Sequence, residues 1–222
     1  MSLRREWRSS SDRARLERLD NVLAFESANP SIVKSIKQRD LLNTWLRLYA
    51  RQQQAPAIAE YQPARWAEEL PELAFFAVDD TDASPRIRIL SDGVRLWSAY
   101  GKTGKGSYLE EFVGANLVPI FVPIYEQCVR RALPVYSILK TADVYGRMVA
   151  CERLVLPFSE NGRVSHLITS VKAISDAGGF EIKNLMRAQE ALPEIHTQAV
   201  IDQELFHRKP ARIAAGEIIE FG

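Results

Sequence analysis

The sequence predicts an α+β domain built on a five-stranded antiparallel sheet with helices on one face. Five short segments have the apolar and β-branched composition of strands: residues 73–79, 86–91, 135–141, 147–159 and 163–174. The series is interrupted once, in its middle, by a glycine-punctuated region at 93–114 and an apolar helical pattern at 116–132. The Asn161-Gly162 pair favours a tight hairpin between the last two segments. Strands that enclose one block of helices are typical of an α+β arrangement.

The chain divides into three parts where this pattern changes. Residues 1–38 are predicted to form an N-terminal amphipathic helix and a linker, residues 39–175 the main domain, and residues 176–222 a C-terminal extension. The extension opens on the flexible sequence Asp176-Ala-Gly-Gly179. Within it we expect a helix at 181–192 and a strand at 212–221, which either pack on the main domain or begin a second one.

The composition limits the classes of partner. The 222 residues are 46% hydrophobic, enough for a substantial core, and the formal net charge of +1 gives no global reason to expect nucleic acid or a membrane surface. No apolar run approaches the roughly 20 residues that cross a bilayer, and the first residues lack the apolar core of a signal peptide. We therefore expect a cytoplasmic protein in which Cys128 and Cys151 are buried free thiols.

Helical periodicity accounts for the regions before the first strand. Ser11 or Asp12 is placed to cap a helix at 11–28, which Asn29-Pro30 ends, and its apolar stripe needs either the sheet or a second copy of itself to cover it. A second helix is predicted at 40–53, and Pro63 is placed to start a short one at 63–70.

The apolar helix in the middle of the domain contains two prolines. Pro119 and Pro123 mean either that the helix starts at Pro123 or that its first turns are distorted. Its apolar stripe comprises Leu117, Phe121, Ile124, Cys128 and Ala132, and Pro134 ends it.

With these elements placed, residues 39–175 resemble a PAS-like family of uncharacterised alphaproteobacterial proteins. The matching segments are Leu42-x-x-Trp45, Leu70-Pro-Glu-Leu73, Arg86-Ile-Arg-Ile-Leu-Ser-Asp-Gly93, Gly101-x-x-Gly104 before Tyr108-Leu109, and Cys151-Glu-Arg-Leu-Val-Leu-Pro-Phe-Ser159. The resemblance implies a sensory or regulatory domain with a pocket between the sheet and the long helix. It also implies a homodimer formed through the N-terminal helix and a signalling partner protein that provides the output.

The pocket implied by the resemblance has candidate ligand-binding residues in the helical region and on the third strand. They are Trp97, Tyr100, Phe112, Phe121, Tyr125, Cys128 and Tyr136. A small ligand needs a concave and mostly apolar cavity with a few polar groups, which these residues can supply. The alternative is that they fill the core, as aromatic residues do in most proteins.

The cofactor of such a pocket stays unknown. A flavin-reactive PAS domain carries a Cys in an Asn-Cys-Arg-type helix start, whereas residues 105–112 contain none. A haem PAS domain takes an axial His from its helical side, whereas His166, the only His in the domain, falls on the last strand. His166, His196 and His207 are isolated, and no Cys-x-x-Cys occurs, so no metal site is predicted.

Three other motifs point weakly to chemistry. Gly101-Lys-Thr-Gly-Lys-Gly-Ser107 lacks the spacing of a phosphate-binding P-loop and is interpreted as a flexible connection. Glu152 and Arg153 should point to opposite faces of a strand, each in a surface ion pair with a neighbouring strand. Arg208 and Arg212 are similar to the Arg-x-x-x-Arg opening of a PilZ domain, which implies cyclic di-GMP, but the second PilZ motif is absent and a chance basic turn is the favoured interpretation.

Three function hypotheses follow. The first is a sensory module that binds an unknown small molecule and is not itself an enzyme. The second is a ligand-free interaction adaptor with a filled core, favoured if the cavity is smaller than about 300 Å³. The third is a cone-shaped α+β isomerase or dehydratase, which needs a buried pair of acidic or basic groups with perturbed pKa values.

Overall fold

One mixed sheet of seven strands organises the computed structural model of this chain, which describes residues 24–79, 85–175, 178–186 and 192–202. The strands are β1 (Glu26–Ala28), β2 (Leu73–Asp79), β3 (Arg86–Asp92), β4 (Val135–Ala142), β5 (Met148–Glu160), β6 (Arg163–Ile174) and β7 (Glu194–Ile201). Their order across the sheet is β1-β7-β4-β5-β6-β2-β3. β1 runs parallel to β7, and the other neighbouring pairs are antiparallel.

The predicted five-stranded antiparallel sheet is therefore wrong as a fold class. The five predicted strands exist as β2 to β6, but β7 and β1 extend the sheet beyond β4, and β1 adds parallel pairing. β7 was missed because it lies in the C-terminal extension, where no apolar alternation marks it before Ala199. β1 was missed because its three residues continue the helical spacing predicted for 11–28 and are too few to show a strand period of their own.

The turn between β5 and β6 confirms the hairpin prediction. Asn161 and Gly162 both have positive φ, at 53° and 77°. Two successive residues with positive φ form the type I′ turn, whose twist matches that of the flanking strands. Asn and Gly are the residues that adopt this conformation at least cost, so this pair fixes the register of the two longest strands.

The helices of the described residues largely follow the predicted pattern. They are α1 (Ile36–Gln52), α2 (Trp66–Glu69), α3 (Val94–Tyr100), α4 (Leu109–Val113) and α5 (Val118–Arg131). α1 begins four residues before the predicted start, because the Ser35 side chain accepts a hydrogen bond from the Gln38 N–H at 3.4 Å and caps the helix. α5 begins at Val118, with Pro119 in its first turn and Pro123 inside it.

Helices cover both faces of the sheet, so the prediction of helices on one face is wrong. On one face, Gln38 of α1 donates to the backbone oxygens of Glu152 and Ser170, at 3.2 and 2.9 Å. The Trp45 indole of α1 donates to the backbone oxygen of Pro157 at 2.7 Å. On the other face, Cys128 of α5 lies with its Sγ 3.7 Å from the backbone oxygen of Val155. The sheet is thus the middle of three layers.

Other predicted elements differ or fall outside the described ranges. Residues 183–186 form a turn, and residues 181–182 have no regular secondary structure, where a helix was predicted; residues 26–28 are a strand instead of a helix end. Residues 11–23, the strand predicted at 212–221 and the Arg208 and Arg212 motif lie outside the described residues. Among the described helices, none has both the length and the apolar character needed to cross a membrane.

Candidate functional site

A row of three polar side chains crosses the middle of the sheet beneath α5. Gln198 on β7 pairs with Ser137 on β4, and Ser137 pairs with Arg153 on β5. Directly paired residues project to the same face with their Cβ atoms about 5 Å apart. All three are buried, with exposed fractions of 5%, 0% and 4%. The sheet register therefore concentrates polar groups in what is otherwise an apolar layer.

The atoms of this polar row lack hydrogen-bond partners among the described residues. They are the Ser137 hydroxyl, the Nε and Nη1 of Arg153, and both amide atoms of the Gln198 side chain. Buried polar atoms in native proteins nearly always form hydrogen bonds with protein, water or ligand, so each buried atom without a partner needs an explanation. Five such atoms lie in this one cross-strand row, and Arg153 is the member of the row that lines a cavity.

Arg153 is at one end of this row, and its guanidinium lies against aromatic rings. The guanidinium carbon lies 4.0 Å from the centre of the Phe121 ring and 6.0 Å from that of Tyr125. Among the described residues, no carboxylate forms a salt bridge with it. A desolvated cation–π contact contributes about 2 kcal/mol, whereas burying a charge costs several. The aromatic contacts alone leave the charge of Arg153 incompletely offset.

Tyr100 at the end of α3 completes the surroundings of this guanidinium. Burial raises the pKa of Tyr100 to about 12, while the charge of Arg153 and a hydrogen bond from it act in the opposite direction. The Tyr100 ring packs against Phe112, with ring centres 4.6 Å apart. Tyr100 therefore stays a neutral hydrogen-bonding partner of Arg153 over the physiological range.

A small cavity of about 60 Å³ lies beside Arg153. Its walls include Arg153, Cys151 and Tyr100 on the sheet and α3 sides, and Phe180, Ile182 and Met186 from the segment that follows β6. A water molecule needs roughly 10–15 Å³ of such space, so the cavity holds a few water-sized groups. It is well below the size that a drug-sized ligand requires.

The segment 178–186, here called the strap, forms part of the cavity wall and is hydrogen-bonded to two other parts of the chain. The Asn184 and Met186 N–H groups donate to the backbone oxygens of Ser98 and Ala99, both at 2.9 Å. The Glu181 N–H donates to the Asp143 carboxylate at 3.0 Å. These hydrogen bonds hold the strap in place beside the cavity.

Asp143 joins the strap to the β4–β5 hairpin. Desolvation acts to raise its pKa, but hydrogen bonds from the Arg147 side chain and from the N–H groups of Glu181, Arg147 and Tyr145 outweigh it. The net result is a pKa well below the usual range. Asp143 is therefore a structural carboxylate whose oxygens accept hydrogen bonds from these donors.

The seven sequence-predicted site residues separate into groups. Tyr100, Phe121 and Tyr125 surround Arg153, and Cys128 is fully buried on the same face. Phe112 packs on Tyr100 and lines an open groove beyond it. Trp97 is 42% exposed and does not line the cavity. The structure thus brings three of the seven residues together around one cation.

Tyr136 lies on the opposite face of the sheet from this site. Its hydroxyl donates to Glu152 Oε2 at 3.0 Å and accepts from the Lys34 N–H at 3.3 Å. Burial, followed by the charge of Glu152, raises its pKa. The Ser35 N–H also donates to Glu152 Oε2, at 3.1 Å. Tyr136 and Glu152 therefore join the sheet to the start of α1 and do not face the cavity.

Sequence reasoning missed Arg153, Ser137 and Gln198 as site residues. The predicted alternation of Glu152 and Arg153 is confirmed, but the predicted surface ion pairs are wrong because both residues are buried. The available signal was an Arg inside the apolar run 149–158, where a surface strand would show regular alternation. Ser137 and Gln198 carried no comparable signal, since Ser137 joins Arg153 only through the register of β4 with β5, and Gln198 joins the row only through the register of β7 with β4.

Other candidate motifs have structural surroundings. Cys128 and Cys151 are confirmed as buried free thiols, and burial raises the pKa of both. His166 on β6 lies with Nδ1 3.0 Å from the Ser165 hydroxyl. The Gly101–Ser107 connection is fixed rather than flexible, because Asp92 accepts from Thr103 and Gly104 at 2.7 and 2.9 Å. Within the described ranges, no group of three or more His, Cys, Asp or Glu side chains is placed to hold a metal ion.

Comparison with protein-family models and with curated proteins found no match to this chain.

Proposed function

We propose that this chain is a regulatory module that binds a small molecule in the cavity beside Arg153 and signals to a partner protein whether the cavity is occupied. The observation that supports it most strongly is the buried guanidinium of Arg153, which lines the cavity and whose Nε and Nη1 have no hydrogen-bond partner among the described residues. A protein without a ligand at this position would gain stability by replacing the arginine with an apolar residue. Retention of the charge is explained if a bound molecule uses it.

The position of Arg153 also supplies a route for the signal. Glu152, its neighbour on β5, accepts hydrogen bonds from the start of α1 on the other face of the sheet. A ligand that shifts β5 therefore acts on the segment that connects the N-terminal region to the domain. It can change the population of two arrangements only if it binds one of them better. The predicted homodimer through residues 11–28 and the signalling partner remain proposals of the same kind.

We further propose a cytoplasmic location. Its support is chemical, because Cys128 and Cys151 are both buried as free thiols. Free cysteines that persist in a folded protein are typical of a reducing compartment. We also propose that the chain is not an enzyme, because Asp143, the carboxylate with the strongly lowered pKa, already accepts hydrogen bonds from hairpin and strap donors.

The second candidate function is a ligand-free interaction adaptor, and the size of the cavity favours it. About 60 Å³ is far below the roughly 300 Å³ at which drug-sized ligands begin to fit. Under this alternative, ordered water hydrates Arg153, and the surface of the domain alone carries the function. The two candidates differ in whether any molecule other than water occupies the cavity.

Native mass spectrometry of the full chain, purified without denaturation, separates the two candidates. We expect a bound small molecule at up to one equivalent per chain in the wild type, lost in Arg153→Met and retained in Arg65→Gln. Arg65 is a suitable control because its side chain is 59% exposed. A wild-type protein that binds no small molecule, from extracts or from a metabolite library, would contradict the regulatory function and support the adaptor.

A further inference from the structure

We propose that the ligand of the cavity beside Arg153 is a short aliphatic monocarboxylate, an inference that rests on the proposed regulatory function. Three properties of the cavity point to this ligand class: its charge, the polarity of its walls and its volume. Each of these properties excludes a different class of small molecule.

The charge of the residues that line the cavity favours an anionic ligand. Three charged residues line the cavity, the cations Arg95 and Arg153 and the carboxylate Glu72, so two positive charges and one negative charge leave an excess of one positive charge. Glu72 is already bonded to Arg95 Nη1 at 2.6 Å and to the Lys172 ammonium. Glu72 is therefore committed to other cations, and one further carboxylate would neutralise Arg153. Charge-assisted hydrogen bonds of this kind are among the stronger ones in proteins.

The apolar residues that line the cavity favour a ligand that also has an apolar part. Ala99 of α3 and Val171 of β6 face the strap residues Ile182, Leu185 and Met186 across the cavity. A phosphate or sulfate would leave oxygen atoms against these side chains without donors, which is costly in a buried site. A carboxylate with an alkyl tail places its two oxygens at the arginine and its methyl or methylene groups against the apolar wall.

The volume limits the length of that tail. About 60 Å³ accommodates roughly four to six non-hydrogen atoms at 10–15 Å³ each. Acetate, propionate and butyrate fall in this range, whereas octanoate does not unless the strap opens. The cavity therefore predicts a sharp decline of affinity with chain length beyond butyrate.

Isothermal titration calorimetry of the full chain tests this ligand class. We expect saturable binding of propionate or butyrate at one site per chain, with octanoate and inorganic phosphate at least about tenfold weaker. Arg153→Gln should weaken the binding at least about tenfold, since it removes the charge-assisted hydrogen bonds, and Arg65→Gln should not change it.

A second variant keeps the test independent of any folding defect in Arg153→Gln. Ala99→Leu fills the apolar end of the cavity and leaves Arg153 in place, so it should weaken butyrate more than acetate. Equal loss for acetate and butyrate, or tighter binding of phosphate than of propionate, would overturn the proposed ligand class.

The outcomes also separate this inference from the function on which it rests. Binding of a different small molecule, lost in Arg153→Gln, would overturn the monocarboxylate and leave the regulatory function standing. A wild-type protein that binds neither carboxylates nor any co-purified molecule would overturn both.

Discussion

Glu152 and Arg153 are adjacent on β5, and both are buried, on opposite faces of the sheet. The Glu152 carboxylate accepts from the Tyr136 hydroxyl at 3.0 Å, whereas the Arg153 guanidinium lies 4.0 Å from the centre of the Phe121 ring. The negative charge is hydrogen-bonded to the start of α1, while the positive charge borders a cavity. This arrangement connects the candidate site to the opposite face through a single peptide unit.

Arg153→Met tests whether the arginine is retained for binding or for stability. Without ligand, the variant should be as stable as the wild type or more stable, by up to about 4 kcal/mol, because an apolar side chain replaces a buried charge without a carboxylate partner. Urea denaturation of ligand-free protein measures this. A loss of several kcal/mol would show that Arg153 is a structural residue with partners that it needs in the absence of ligand.

Tyr136→Phe tests the hydrogen bonds between the sheet and α1. The variant leaves Glu152 without one of its donors in a buried position, so the free energy of unfolding should fall by about 1–3 kcal/mol. Chemical denaturation, compared with Tyr145→Phe as a control at a 74% exposed position, gives the difference. Unchanged stability would mean that water replaces the Tyr136 hydroxyl without cost.

The lowered pKa of Asp143 predicts that the free energy of unfolding decreases at acidic pH. Its pKa in the folded protein lies well below the value of about 4 in the unfolded chain, so its contribution to stability is present above pH 4 and is lost as the pH falls below that value. Asp143→Asn should therefore be less stable at neutral pH and should lose less stability between about pH 4 and pH 2. Parallel loss in the two proteins over this window would contradict the role assigned to Asp143.

The same variant should loosen the strap. Asp143 accepts from the Glu181 N–H, and removal of the charge weakens one of the hydrogen bonds that hold residues 178–186. Amide hydrogen exchange at Asn184 and Met186 should accelerate in Asp143→Asn, while exchange in the β5–β6 hairpin near Asn161 stays unchanged. Equal exchange at the strap amides would show that Ser98 and Ala99 hold it alone.

Backbone atoms lie so close to Gly93 that a side chain at this position should destabilise the protein. A Cβ atom at this position would lie 2.3 Å from the Pro71 backbone oxygen, and the Gly93 N–H donates to the Leu73 backbone oxygen at 2.8 Å. Gly93→Ala should lower the free energy of unfolding by about 1–3 kcal/mol, since neither backbone segment is free to move. Gly179→Ala, where the new Cβ meets nothing within 4 Å, is the matched control.

Local rules predicted much of the sheet from the sequence. Asn161 and Gly162 identified the hairpin because a type I′ turn depends on two adjacent residues, and β2 to β6 were found from their own composition. β7 could not be found in this way, since only its last residues are buried and its place beside β4 is a long-range pairing. The sequence did not predict that helices cover both faces of the sheet. The apolar stripe of α1, which includes Trp45 and Leu42, does not indicate which face of a sheet the helix covers.

The site was predicted only in part, for a similar reason. Tyr100, Phe121 and Tyr125 were identified as pocket aromatics, but the cation that they surround was assigned to the surface. Burial of Arg153 depends on α5 covering β5, and its neighbours Ser137 and Gln198 depend on the register of two other strands. No local pattern contains that information.

A crystal structure of the wild-type protein grown with saturating propionate tests the central claim most directly. The account predicts density for a carboxylate beside Arg153, with an oxygen within about 3.2 Å of Nε or Nη1 and the alkyl group against the strap. A cavity that holds only ordered water, hydrogen-bonded to the free donors of Arg153, would contradict it.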